Sequence, residues 1–249
     1  MGVELKSADE IARMREANLI VHDILQELIR ATAPGVRLDE LDELAAGLID
    51  KRGATSAFKG YHGYPKVLCA SPNEVVVHGI PTRRKVKEGD LLSLDFGVYF
   101  RGYCGDSAYT IPVGKISESA QKLMDATRES LERAIAACLP GNRMNDIGGA
   151  IQDYVEERGF TVVRDFVGHG IGKRMHEEPQ VPNYRMERPG IRLREGMVLA
   201  IEPMINEGTW EVEVLDDGWT AVTLDRKLSA HFEHSVAITA DGPFVLSRP

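Results

Sequence analysis

The chain has 249 residues, with 30 basic against 38 acidic side chains and a net charge of −8; that length suits one large domain or two small ones, and the acidic balance argues against non-specific nucleic-acid binding. Three widely spaced cysteines, Cys69, Cys104 and Cys138, fit neither a disulfide framework nor a zinc-finger spacing and suit a reducing compartment. There is no signal-peptide apolar region and no run approaching the roughly 20 apolar residues of a membrane span, so the expectation is a soluble, cytoplasmic protein.

The first element reads as a helix. Ser7-Ala8-Asp9-Glu10 is a capping box, and Ile11, Met14, Val21, Leu25 and Leu28 follow at helical spacing. A second helix is expected over about Leu38 to Lys51, ending at a C′ glycine, Gly53. From about Gly60 to Ile111 the pattern changes to short strands and turns, in YPKVLCAS, NEVVVHGI, DLLSLDFGVYF and YCGDSAYTI. The tetrad FRGY (100–103) reads as a hairpin turn centred on Arg101 and Gly102. Two more helices follow, about Glu118 to Cys138 and Met144 to Glu157, and from about Thr161 onward the chain is strand-like again.

The order helix, helix, strands therefore occurs twice. PGVRLDELDELAAGLIDKRG aligns with PGNRMNDIGGAIQDYVEERG, Pro34 on Pro140, an offset of 106. EGDLLSLDFGV aligns with EGMVLAIEPMI, Glu88 on Glu195, an offset of 107, which lays Asp95 on Glu202 and His62 on His169. The expectation is a single domain over 1–249 built from a repeat, approximately 10–115 and 116–249. Equivalent strand positions of the two halves can then converge on one site.

Asp95 and Glu202 are single carboxylates inside nearly continuous apolar runs that read as buried strands, and a buried carboxylate is costly unless paired, hydrogen-bonded or metal-bound. One such acid could as well sit on the polar face of a strand; two at equivalent places of a repeat are harder to dismiss. Pairing Phe100 with Tyr103 puts Asp106 opposite Gly97, so Asp106 shares a face with Asp95 as its diagonal neighbour. Two acids that close repel unless a cation or a proton lies between them. Glu233 stands in SAHFEHSVAIT, read as one strand. His169 sits in the glycine-rich stretch GHGIGKRMHEEP, read as a turn where the backbone can approach a ligand closely. Four carboxylates and one imidazole suit two divalent first-row ions better than one structural zinc. A phosphate loop is unsupported, since GHGIGKRM lacks the GK[ST] ending. His78 and His176 are either hydrogen-bonded loop histidines or donors to a carbonyl or oxyanion.

Read together and in order, GYHGYPKVLCAS, NEVVVHGIP, LDFGVYFRGYCGDSAYT, GHGIGKRMHEEPQVPNY, EGMVLAIEPMI and DGWTAVTLDRKLSAHFEHSVAIT resemble the type I methionine aminopeptidases over nearly the whole chain. The resemblance implies the α+β "pita-bread" fold, a pseudo-two-fold duplication with a central antiparallel sheet covered by helices. It implies two divalent metal ions (Co, Mn, Fe or Zn) on Asp95, Asp106, His169, Glu202 and Glu233. It implies substrate contacts from His78 and His176, and a methionine pocket from Tyr61, Tyr64, Cys69, Met175 and Trp219. A monovalent cation found in some relatives would map onto Asn73, Val75 and Ser229. Two pocket positions depart from the pattern: Phe58 stands where many bacterial relatives carry cysteine, and Met175 where an aromatic residue is common.

The implied reaction is hydrolysis of the bond after an N-terminal methionine followed by a small residue, with Glu202 as proton shuttle. Nascent polypeptide N-termini would be the substrates, with the ribosome nearby, and the protein would act as a monomer without nucleic-acid or membrane partners. Two rival readings are an Xaa-Pro peptidase of the same fold and a non-catalytic binding module on it. The intact set of five acidic or histidine positions speaks against the second.

Overall fold

The computed structural model describes residues 2–249. Helix α1 (Ala8–Ala31) begins at the capping box: Ser7 Oγ accepts from the Glu10 N–H, and the Glu10 carboxylate accepts from the Ser7 N–H. Its buried face includes Met14, Val21, Ile24, Leu25 and Leu28, the last three aligned at helical spacing. Truncating Leu25 or Leu28, both fully buried, would cost about 3 kcal/mol. Helix α2 (Leu38–Lys51) ends at Arg52, and Gly53 beyond it takes the left-handed backbone, φ 64, that a C′ glycine adopts without strain.

Short strands β1 (Thr55–Ser56), β2 (Cys69–Pro72) and β3 (Val75–Val77) precede a long hairpin, β4 (Leu91–Phe100) and β5 (Tyr103–Pro112). Arg101 and Gly102 both have positive φ, 49 and 83, the signature of a tight hairpin turn. The register pairs Phe100 with Tyr103 and Gly97 with Asp106, as the turn predicts. The helix pair recurs as α3 (Glu118–Ala136) and α4 (Met144–Glu156). The remaining strands are β6 (Thr161–Val162), β7 (Gly168–Gly170), β8 (Glu177–Val181), β9 (Val198–Ile201), β10 (Met204–Asn206), β11 (Val212–Val214), β12 (Ala221–Thr223), β13 (Ser229–His231), β14 (His234–Thr239) and β15 (Gly242–Val245).

All strand pairings among the described residues are antiparallel. The central layer is carried by four short sheets, with strand orders β1-β4-β2 (β5 on the far side of β4), β13-β10-β6, β11-β12-β3 and β15-β14-β9-β7-β8. The duplication shows in detail. An isolated bridge joins Arg37 to Lys85 in the first half and Arg143 to Arg192 in the second. Each bridge lies just before a helix whose third residue returns a carboxylate to the cap N–H: Glu40 to Arg37, and Asp146 to Arg143. One apolar core lies under α1 and α2, a second under α3 and α4, and a third, smaller cluster holds Phe58, Tyr64, Cys69 and Met175.

Three expectations change. Neither Glu202 nor Glu233 lies within a continuous strand. Pro203, which has no N–H to give a ladder, ends β9 at Ile201, and the chain resumes as β10 in another sheet. SAHFEHSVAIT likewise breaks at Phe232-Glu233 between β13 and β14. Ile201 pairs with His234 and Met204 with His231, so a shared register sets Glu202 opposite Glu233 at the crossing between sheets. The second change concerns Gly168-His169-Gly170, which is strand β7 inside a five-stranded sheet rather than a turn. Its glycines admit neighbouring strands, not a ligand: a Cβ on Gly168 would meet the Ala200 carbonyl at 2.4 Å, and one on Gly170 the Glu178 carbonyl at 2.3 Å. Third, His62 is not the structural counterpart of His169. It lies exposed in a short 3-10 turn with φ 46.

Candidate metal centre and substrate cleft

Two adjacent strands of the first half and two strand ends of the second bring the acids together. Asp95 comes from β4 and Asp106 from β5, while Glu202 and Glu233 come from the paired breaks after β9 and β13. His169 on β7 completes the group. Ligand-type atoms of Asp106, His169 and Glu233 lie within 4.8 Å of one another. The Nε2 atom of His169 is 3.5 Å from Glu202 Oε1. All five line one cleft, of about 180 Å³, with Phe58, Tyr61, Tyr64, Cys69, His78, Met175, His176 and Trp219.

No lysine or arginine pairs with these four acids among the described residues. Asp95 Oδ1, Asp106 Oδ1 and Glu233 Oε1 are buried without a hydrogen-bond partner, which costs on the order of 1–3 kcal/mol each, and more if charged. Burial, the largest cause, pushes Asp95 up to about 7, where the negative charge of Glu202 adds and His231 subtracts. Burial alone raises Glu202 to about 8. Asp106 and Glu233 rise well above the carboxylate range, first from burial and then from the neighbouring acids.

His169 is the opposite kind of group. Burial, then His176, drives it down to about 3, so the ring is neutral at pH 7. Its Nδ1 is 3.0 Å from the Gly170 carbonyl oxygen. A carbonyl can only accept, so the proton is on Nδ1 and the Nε2 lone pair faces the acids. Orphaned carboxylate oxygens, no competing protein cation and an oriented imidazole lone pair are what divalent ions would satisfy.

Beside the acids lies an apolar slot. Phe58 meets Tyr64 edge-on at 6.5 Å, and Tyr64 meets Trp219 at 5.1 Å. Phe58 packs tightly on the sheet, since a Cβ on Gly97 would stand 2.9 Å from its ring. The Tyr64 hydroxyl donates to the carbonyls of Leu68 and Gly79. Cys69, paired with Asp95 in register, is buried, and burial followed by Asp95 holds its thiol well above the usual range. The Met175 N–H donates to the Tyr99 hydroxyl at 3.0 Å. Phe58 and Met175 both line the cleft.

The two remaining histidines stand at the cleft. His78, with φ 59, packs edge-on against Phe166 and Trp219, and burial lowers it to about 4. His176 meets His169 edge-on at 4.2 Å and holds its Nδ1 2.6 Å from the Tyr61 hydroxyl. Burial, then His62, lowers His176, and burial raises the Tyr61 hydroxyl. Both groups are thus neutral, and the tautomer of His176 sets which of them donates in this bond. Elsewhere, the Ser229 N–H donates to the Asn73 carbonyl, and the Asn73 side chain is engaged by Asp90 and by the Leu91 N–H, while Val75 opens β3.

Sequence reasoning passed over three residues. His231 is fully buried, with an unpartnered Nε2 3.6 Å from Glu202 Oε2; its place two residues before Glu233 was a usable signal. Asn183 donates to the Glu202 carbonyl, a contact across 19 residues with no local signature. Phe166 closes the wall behind His78.

Residues 12–240 match the model of metallopeptidase family M24. Methionine aminopeptidase 1 of Bacillus subtilis is 49% identical over 243 residues, covering 98% of both chains. The crystal structure of a methionine aminopeptidase from Thermotoga maritima superposes with a TM-score of 0.97 at 44% identity, covering all of both chains. A prolidase from Pyrococcus horikoshii shares the fold, with a TM-score of 0.79 at 22% identity, and this chain covers 63% of it.

Proposed function

The chain belongs to metallopeptidase family M24, and from that premise we propose that it is a metal-dependent aminopeptidase that removes methionine from polypeptide N-termini. The observation that carries the reading is the junction of two features: a buried cluster of four acids and one neutral imidazole, and an apolar slot beside it. Relatives bearing the name methionine aminopeptidase match along almost the full length. The Xaa-Pro reading rests on structures 22–24% identical, which support the fold alone.

Asp95, Asp106, His169, Glu202 and Glu233 would hold two divalent ions, chosen among Co, Mn, Fe and Zn by availability as much as by these ligands. Such ions supply positive charge that keeps the acids ionised, polarise a carbonyl and acidify water. The chain's own residues do the rest. Phe58, Tyr61, Tyr64, Cys69, Met175 and Trp219 exclude water and orient the methionine side chain. Glu202, ionised in the loaded site, takes a proton from the attacking water and passes it to the leaving amine. His176 offers Nε2–H to the developing oxyanion, and His78 orients the scissile amide. A monovalent cation at Asn73, Val75 and Ser229 belongs to the same reading and rests on the resemblance alone.

We propose further that residues 1–249 act as one catalytic unit, as a monomer in the cytoplasm, on nascent chains near the ribosome and without binding nucleic acid. No helix among the described residues is long and apolar enough to cross a membrane. The test is hydrolysis of Met-Ala-Ser and Ala-Pro peptides with and without chelator. Metal-dependent release of methionine from the first, with the second untouched, supports the reading. Preferential cleavage of Ala-Pro would replace it with the Xaa-Pro reading, and inertness under every metal with a non-catalytic module.

A further inference from the structure

The loop joining β7 to β8 carries Met175 into the apolar slot and His176 to the acids. It is tied down from several sides. The Cys104 N–H donates to the Gly172 carbonyl at 2.8 Å, Met175 N–H to Tyr99 at 3.0 Å, and Arg174 N–H to Glu177 Oε1 at 3.1 Å. Glu177 follows His176 directly in the chain and pairs with Gly170, the neighbour of His169. Its second oxygen, Oε2, accepts from Lys6 Nζ at 2.6 Å, and the two side chains are only 4% and 3% exposed. Lys6 also reaches the exposed Glu4 at 3.3 Å.

Lys6 comes from the segment ahead of α1, fastened by its own N–H to the Gly196 carbonyl at 2.7 Å. Glycines make the room for this crossing. A Cβ on Gly172 would fall 2.5 Å from Lys6 Cε and 2.7 Å from Glu177 Oε1, and one on Gly196 would fall 2.9 Å from the Lys6 carbonyl oxygen. A buried ion pair contributes little net stability compared with apolar residues of the same size, but it fixes geometry strongly. Neither residue lines the cleft.

We propose that Lys6 and Glu177 are positioning residues, which hold the loop so that His176 stays against Tyr61 and His169, and Met175 stays in the slot. The inference rests on the aminopeptidase reading for its kinetic consequence only. The N-terminal segment is thereby a working part of the site, although none of its described residues lines the cleft.

The experiment uses Lys6→Met and the milder Glu177→Gln, each alone and combined with His176→Ala. Two readouts are taken. In hydrogen exchange by mass spectrometry, the segment 171–177 should lose protection by about tenfold or more, while peptides from α1, β4 and β14 exchange as in the wild type. In Met-Ala-Ser hydrolysis, kcat should fall about 10- to 100-fold with KM changed less than about threefold and metal content unchanged, the scale expected when a reacting group is displaced by an ångström. In the His176→Ala background the same substitution should cost less than about twofold, because the group it positions is gone. Unchanged exchange in 171–177, equal losses in both backgrounds, loss of metal, or exchange rising throughout the chain would each overturn the proposal. If Lys6→Met fails to fold, Glu177→Gln decides by the same criteria. If the wild type releases no methionine, the function is wrong, and the exchange data still judge the positioning claim.

Discussion

Removing metal should make the protein's stability fall with rising pH. Asp95 at about 7 and Glu202 at about 8 have folded-state pKa values above those of the unfolded chain, so the metal-free native state holds protons that the unfolded chain has released. Stability then declines as pH rises through the folded values. The buried histidines act in the opposite sense, mostly below about 6.5 with a weakening tail above it, because the unfolded chain takes up protons that His169 at about 3, His78 at about 4, and the lowered His176, His231 and His234 refuse. Between pH 6.5 and 8 the four raised acids outweigh them. Over that window Asp95 and Glu202, with Asp106 and Glu233 raised further, leave a net destabilisation on the order of 2 kcal/mol after the histidines' offset. A loss of about 2 kcal/mol corresponds to a fall in Tm of roughly 4–8 °C for a chain of this size. Thermal melts at pH 6.5 and 8.0, in chelator and in excess divalent ion, measure it. The fall should be present in chelator and largely absent with metal, because bound cations keep the carboxylates ionised at both pH values. A chelated Tm that is flat or rises toward pH 8, or an equal fall in metal-loaded protein, would refute the reasoning.

Asp106→Ala should abolish peptidase activity and lower metal content, since it deletes a ligand beside three uncompensated acids; full activity would exclude a dinuclear site. His176→Ala should lower kcat by about 10² to 10³ with metal content unchanged, the range for losing one oxyanion donor, and Tyr61→Phe, which removes the hydroxyl held at 2.6 Å, should show a smaller fall. Loss of metal from His176→Ala would make it a ligand instead. All three thiols are buried, and burial raises each of them, so alkylation of the folded protein by iodoacetamide should be slow, with Cys69 modified first and protected by free methionine. Rapid modification at Cys104 or Cys138 would show that the slot has been drawn on the wrong residues.

Much of the site was legible because duplication left a mark in the sequence. The offset that laid Asp95 on Glu202 is also visible in the paired bridges Arg37–Lys85 and Arg143–Arg192. The turn at Arg101-Gly102 sufficed to set Asp106 opposite Gly97, since hairpin register follows from the turn. What stayed hidden depends on tertiary neighbours. Alternation along SAHFEHSVAIT reads as one strand, yet β13 and β14 pair in different sheets, and the break at Glu233 comes from the partner strand crossing at Pro203. Glycines flanking His169 suggested ligand approach, whereas the crowding atoms are the Ala200 and Glu178 carbonyls. Lys6 and Glu177 lie far apart in sequence, with no periodicity linking them, so only the folded chain reveals their contact.

The most direct test of the account is to strip the protein with chelator, titrate it with a divalent ion, and follow bound metal and methionine release from Met-Ala-Ser together. The account predicts no release from the stripped protein, activity that rises with bound ion, and saturation at no more than two ions per chain, with Asp106→Ala binding less and remaining inactive. Undiminished methionine release from protein shown to contain no metal would contradict it.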